Sequence, residues 1–480
     1  MAVLEHLEPK NVFRFFEEMS AIPHGSFNTK AVSDWCVTFA RERGLEHYQD
    51  EANNVIIIKE ASAGYESAEP VIIQGHLDMV CEKAPDCAKD MATEGLDLAV
   101  DGDWVHAKGT TLGGDDGIAV AMALAALDDD SLPHPRLEVI LTTEEEVGME
   151  GAAALDVTPI RGRKLINIDS EEEGIFTVSC AGGVRAGCTL PVSRAAFDGE
   201  AVLSVTIGGL AGGHSGVEIH KQRGNANMLL GRVLRAVSKA ADMRLICAGG
   251  GQKDNAIPAE SGALLAVKNS AAAMAAVTAE AAAIKNELQT ADPGVFVQVE
   301  VAESDCLPMD QASTQRVICL LTCAPCGVQT MSLDIPGLVQ TSLNLGVLKS
   351  AEDHVRASFS IRSSVASEKE LIRDRLVCLV EMLGGSVSFS GDYPAWEYRK
   401  DSPLRDLMIE VYREQYGEDP KVEAIHAGLE CGLLSAKLPG LDCVSVGPEL
   451  RDIHTPRERM SVASVQRVWA FVLEILRRSK

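Results

Sequence analysis

Apolar residues along the chain fall into short runs that stop abruptly at glycine or at acidic residues. Val71-Ile72-Ile73 is closed by Gln74-Gly75, and the run from Leu137 to Leu141 leads into Glu144-Glu145-Glu146. Continuous apolar stretches of this length predict buried strands, because a strand covered on both faces has no polar side to show. Leu165, Ile166 and Ile168 predict another strand, with Asp169 at its end. Within 109–127 a glycine-rich loop leads into an Ala/Leu-rich stretch that predicts an amphipathic helix, and a second amphipathic helix is expected at the C-terminal end. Alternating patterns at 201–207, 296–301 and 355–361 predict strands of a further layer, with helices after the glycine loop within 203–234 and over the Ala-rich stretch 271–288. Strands interleaved with helices indicate an α/β fold.

The predicted strand ends carry the candidate chemistry. In open α/β sheets, sites gather at the carboxyl ends of strands, which is where His76 emerges. Asp78, two residues on, is placed to orient its imidazole. Taken singly, each segment has a plainer reading. A histidine at a strand end can be a polar cap, Asp115 and Asp116 can cap a helix, and three glutamates in a row can form a solvated turn. Together, His76, Asp115, Glu146, Asp169 and His454 offer two imidazoles and three carboxylates. That set suffices for two divalent ions sharing one carboxylate, with Glu145 free to act as general base.

The phrases HLDMVCEK, TTLGGDDGIAVA, EEEVGMEGA, LINIDSEEEG, GGHSGVEIHKQRGNANMLL, HAGLECGLL and DIHTP span essentially the whole chain. They resemble the M20 family of co-catalytic zinc peptidases, and within it the aminoacyl-histidine dipeptidase branch. The resemblance implies that Asp115 bridges two metals, that His76 and Asp169 complete one site, and that Glu146 and His454 complete the other. It further implies a cis peptide at Asp115-Asp116, Asp78 as the residue orienting His76, and Glu145 as base and proton shuttle. His214, on its glycine loop, would polarise the scissile carbonyl from a lid, often reaching into the partner's site in a homodimer. Asn344 and Arg362 would hold the substrate's C-terminal carboxylate, a task to which the Arg fork is well matched. Glu430 would lie near the substrate, whereas His220 and Arg223 are expected to make only polar contacts at a helix start. The implied fold is a discontinuous catalytic domain, 1–184 and 390–480, with a mixed sheet flanked by helices. An α+β lid and dimerisation domain, 185–389, is inserted in it.

Composition agrees with this outline. The 480 residues exceed what one core usually organises, and 46% of them are hydrophobic. A net charge of −26 argues against nucleic acid and anionic membranes as partners. No run approaches the roughly 18 apolar residues of a membrane span, and the first residues lack the basic start and apolar core of a signal peptide, so a cytoplasmic protein is expected. The 13 cysteines are then expected to be reduced core residues. Cys323-Ala-Pro-Cys326 is a C-x-x-C with no second pair at similar spacing, as a structural zinc would require.

The leading expectation is therefore metal-dependent hydrolysis of dipeptides, with Xaa-His substrates such as β-alanyl-histidine preferred. Zn²⁺ suits the His/carboxylate set, and Mn²⁺ or Co²⁺ would accept the same ligands. The same site could instead serve an N-acyl-amino-acid amidohydrolase or a broader peptidase. A non-catalytic metal- or peptide-binding protein is the reading from a different class, disfavoured because all five ligands and both catalytic carboxylates are intact.

Overall fold

The strands Val71–His76 and Leu137–Thr142 consist entirely of buried residues, in keeping with their mainly apolar sequences, and the polar Gln74, His76, Glu138 and Thr142 are buried with them. In this computed structural model, which describes residues 3–480, they lie at the heart of an eight-stranded mixed sheet. Its order is Glu46–Gln49, Val55–Lys59, Leu137–Thr142, Val71–His76, Lys164–Asn167, Asp442–Ser445, Ile175–Cys180 and Lys421–Ile425. The four strands from Leu137–Thr142 to Asp442–Ser445 are mutually parallel, so their carboxyl ends share one edge. That arrangement brings His76, the turn at 144–146 and Asp169 to the same side of the sheet.

The helix Gly114–Asp128 departs from expectation. It is not amphipathic, since every residue from Gly117 to Leu127 is buried. Alanine and leucine all round suit a helix wrapped on every side, and this one packs on Lys10–Ser20 and on the strand Val71–His76. The approach depends on Gly75, where a Cβ would come within 2.5 Å of the Ala119 Cβ and 2.6 Å of Asp116 Oδ2. The C-terminal helix Val462–Arg478 is amphipathic as predicted, burying Val465, Val468, Val472 and Ile475 along one stripe.

The chain divides into two compact units. The first comprises Met1–Ser179, Tyr398–Ala424 and Leu429–Lys480; the second comprises Cys180–Glu397 and Ile425–Gly428. The second unit is built on a nine-stranded antiparallel sheet that includes Ala201–Gly208, Phe296–Ala302 and His354–Ser363, three strands foreseen from alternation. Val355, Ala357, Phe359 and Ile361 point into its core with the helices Ala226–Ala240, Gln311–Cys323 and Ala366–Met382. Arg356, Ser358, Ser360 and Arg362 take the intervening positions, and so face the other way.

Five cysteines, Cys36, Cys180, Cys188, Cys431 and Cys443, are buried, as core residues should be. The expectation fails for Cys81, Cys306, Cys323 and Cys378, which are exposed. Cys323 ends a helix, with its sulfur 4.0 Å from that of Cys319 rather than paired with Cys326, which is half-buried beside Asn225. Among the described residues no helix is long and apolar enough to cross a membrane.

Candidate active site

Each candidate metal ligand in the first unit is delivered by the end of a strand or by a loop anchored to one. His76 is the last residue of its strand, and its Nδ1–H donates to the Asp78 carbonyl at 2.9 Å, which turns Nε2 toward the carboxylates. That nitrogen lies 3.1 Å from Asp115 Oδ1 and 3.5 Å from Asp169 Oδ1. From the opposite side, His454 Nε2 lies 3.2 Å from Asp115 Oδ2 and 3.0 Å from Glu146 Oε1. The two oxygens of Asp115 thus face one imidazole each. Ligand atoms around a tetrahedral ion with bonds of about 2.0–2.2 Å are separated by about 3.3–3.5 Å, so these spacings suit a metal in each half. The peptide between Asp115 and Asp116 is cis.

The electrostatics point the same way. His454 is pushed up to about 10 by its hydrogen bonds to Asp115 and Glu146, and His76 is raised despite burial by Asp115, Asp169 and Asp78. Burial raises the Asp169 carboxyl to about 6, with Asp115 and Glu146 adding to the effect. Burial would raise Asp115 too, but hydrogen bonds from His454 and His76 overcome it and hold this carboxyl low. Several buried carboxylates around two imidazoles are costly unless cations compensate them. Asp116 also comes within reach of His76 and Asp169, but its Oδ2 already accepts the His76 backbone N–H at 3.2 Å.

Glu145 is half-buried beside this cluster, and the loss of solvent, together with the charges of Asp169, Glu430 and Glu146, raises its pKa well above the ordinary range. The 144–146 segment is not a solvated turn. Glu144 accepts hydrogen bonds from the Phe27 N–H and Thr29 Oγ1, while Asp78 Oδ1 accepts the Glu145 N–H at 3.0 Å. The Asp78 carboxylate stands 3.6 Å from His76 Nδ1, so it fixes the glutamate backbone more directly than it fixes the imidazole.

One supporting residue escaped the sequence reading. Glu458 is buried, and its carboxylate accepts N–H groups from Leu112 at 2.7 Å, Gly113 at 3.1 Å and Gly114 at 2.8 Å. It, rather than Asp115 or Asp116, satisfies the free amides ahead of the buried helix, and so sets the loop that presents Asp115. The only hint was a glutamate four residues beyond His454.

Glu430, fully buried in the first unit, accepts from Gln74 Nε2 and from Thr142 Oγ1 at 2.6 Å each, and burial raises it to about 7. The remaining candidates lie in the second unit. The Nδ1 of His214 accepts the N–H groups of Gly216 and Val217 at 3.2 Å each, leaving Nε2 as the protonated, donating nitrogen. Burial and the Arg362 charge lower its pKa. Arg362 donates from Nη1 to the Tyr393 hydroxyl at 3.0 Å. Asn344 is already committed: Nδ2 donates to the carbonyls of Asp254 and Ala256, and Oδ1 accepts from Asn225. Arg223 binds the Gly212 carbonyl and Glu218, a local polar contact of the kind expected.

The sequence pattern of peptidase family M20/M25/M40 matches residues 72–478, a span that contains all five candidate ligands. The chain belongs to this family. This metallopeptidase is similar to the cytosol non-specific dipeptidase of Escherichia coli (strain K12), with 37% identity covering 99% of both chains. It is also similar to the crystal structure of aminoacylhistidine dipeptidase from Vibrio alginolyticus, with a TM-score of 0.95 and 36% identity, covering 98% of this chain and 97% of that one. The aminopeptidase PepT from Bacillus cereus, at 14% identity and a TM-score of 0.57 over 98% of this chain and 99% of that one, shares the fold.

Proposed function

We propose that the peptidase is a cytosolic dipeptidase, active as a homodimer, that uses two divalent ions to hydrolyse substrates with a free C-terminal carboxylate, Xaa-His dipeptides preferred. The observation that carries this reading is the placing of one imidazole at each oxygen of Asp115. His76 and Asp169 would hold one ion and His454 and Glu146 the other, with Asp115 shared. When bound, such a pair supplies Lewis acidity and lowers the pKa of a water lying between them, and Zn²⁺ is the ion that best suits this donor set.

The chain's own residues do the rest. Glu145, set beside the carboxylate cluster on the turn that Asp78 fixes, takes a proton from the attacking water and passes it to the leaving amine. His214 donates from Nε2 to the developing oxyanion, the tautomer that its Nδ1 contacts support. Arg362 binds the terminal carboxylate, while Asn344 shapes the turn at 254–256 instead of meeting the ligand. On this reading the first unit is the catalytic domain and the second the lid.

The decisive experiment is a dipeptide panel assayed on metal-stripped and then metal-restored protein. Release of free histidine from Xaa-His only after metal is restored is the expected result. Turnover of N-acyl amino acids without dipeptide cleavage would instead favour the amidohydrolase reading. Metal counting on two variants tests the ligands: Asp115→Ala should lose both ions and His454→Ala mainly one.

A further inference from the structure

Buried polar atoms without partners are uncommon, because each costs the desolvation of a group that water would have satisfied. In the second unit these include Arg362 Nε, His426 Nδ1 and Ser215 Oγ; Arg362 and His426 meet around Gly216, and Ser215 adjoins that glycine in sequence. A Cβ on Gly216 would meet the His426 carbonyl at 2.7 Å, His214 Cε1 at 2.9 Å and Arg362 Nε at 3.2 Å, so glycine lets these groups draw together.

All three atoms can donate. Arg Nε carries a hydrogen at all accessible pH, and a serine hydroxyl turns toward whatever acceptor is offered. His426 Nε2 lies 2.7 Å from Ser342 Oγ; with the serine donating, the ring hydrogen is placed on Nδ1. No carboxylate of the described residues pairs with Arg362, whose Nη1 goes to the neutral Tyr393 hydroxyl. Side-chain donors left without partners suit an acceptor-only group, and a carboxylate with two oxygens can take three such bonds.

We propose that His426 and Ser215 join Arg362 in binding the substrate's C-terminal carboxylate, with His426 donating through Nδ1 and Ser342 holding the ring in that tautomer. This rests on the dipeptidase reading above. Burial, aided by the Arg362 charge, lowers His426 to about 3, so the ring stays neutral at working pH and contributes direction rather than charge. Arg362 supplies the charge. The segment Ile425–Gly428 is the only C-terminal stretch assigned to the second unit, which is how a residue just upstream of Glu430 reaches this cluster.

The test compares alanyl-histidine with its C-terminal amide on the metal-loaded parent and on His426→Gln, His426→Asn and Ser215→Ala. Asparagine places an amide nitrogen near the position of Nδ1, whereas glutamine places one near Nε2. His426→Gln is expected to raise KM for the free acid about 10- to 100-fold, the value of a hydrogen bond to a charged group, with kcat changed less than about threefold. His426→Asn recovers most of that loss, and Ser215→Ala raises KM about 3- to 10-fold. The amide substrate is barely affected in all three. An unchanged KM in both His426→Gln and Ser215→Ala, or an equal rise for acid and amide, overturns the proposal while leaving the dipeptidase reading intact. Equal cleavage of acid and amide by the parent overturns the C-terminal recognition on which it rests.

Discussion

The polar cluster around Asp115 and the polar cluster around Gly216 are opposite in kind. In the first unit, Asp115, Glu145, Glu146 and Asp169 gather acceptors, and only two imidazoles oppose them. In the second unit, Arg362, Ser215 and His426 gather donors and hold no carboxylate. The pKa values diverge accordingly: His454 is pushed up to about 10 among carboxylates, while His426 is pushed down to about 3 by burial and the guanidinium. The same residue type is thus a candidate cation ligand in one unit and a neutral hydrogen-bonding group in the other. A protein can prepare to bind cations or anions by concentrating the opposite kind of group and leaving it unsatisfied.

The contrast breaks most visibly at Glu145. Glu145→Gln keeps the shape of the acidic cluster but removes its proton carrier, so kcat should fall on the order of 10² to 10⁴ with metal content unchanged. Metal analysis alongside kinetics checks it, and a lost ion would make Glu145 a ligand. In the donor cluster, Arg362→Ala should lower kcat/KM for free-acid dipeptides by roughly 30-fold to several thousand-fold while scarcely touching their amides. Paired assays of acid and amide give the answer directly.

A smaller effect is expected at the support of the acidic cluster. Glu458→Ala leaves the amides of Leu112 to Gly114 unsatisfied, and metal titration should show affinity weakened roughly 10- to 100-fold, with Glu458→Gln in between. An unaltered titration would reduce Glu458 to a local brace. The smallest effect is a pH dependence. Between pH 6.5 and about 3 the unfolded chain protonates His426 and the native chain does not, so stability falls as pH drops through that window. The slope is at most about 1.4 kcal/mol per pH unit. Thermal melts of metal-free parent and His426→Asn should diverge there, the parent losing more, and parallel curves would contradict the buried neutral ring.

Much of this was legible in the sequence because three of the five candidate ligands, His76, Glu146 and Asp169, follow strands with marked apolar runs. Parallel strands share an edge for their carboxyl ends, so His76, Glu146 and Asp169 could be gathered before their distances were known. The helix Gly114–Asp128 was misread because alanine scores as weakly apolar on any face, and burial all round left no polar side to reveal it. His426 and Glu458 stayed hidden for another reason. Each acts alone, across a long sequence separation, through bonds to backbone amides or single hydroxyls that leave no local pattern. Asn344 was read as a ligand-facing group because residue type does not disclose that both ends of an amide are already engaged.

The bond from Leu112 to Glu458 spans 346 positions of chain, and that span sets an order in time. At the roughly 5–20 residues per second of protein synthesis, on the order of 20 to 70 seconds separate the appearance of one partner from the other. From the appearance of Asp169 onward, for most of that interval, the emerging polypeptide carries His76, Asp115, Glu146 and Asp169 without the second imidazole and without the carboxylate that seats the loop. The proposed site therefore waits for the segment around residues 454–458 to emerge. Any fragment released by early termination before residue 454 is born incomplete at the reactive centre, however well its sheet has formed.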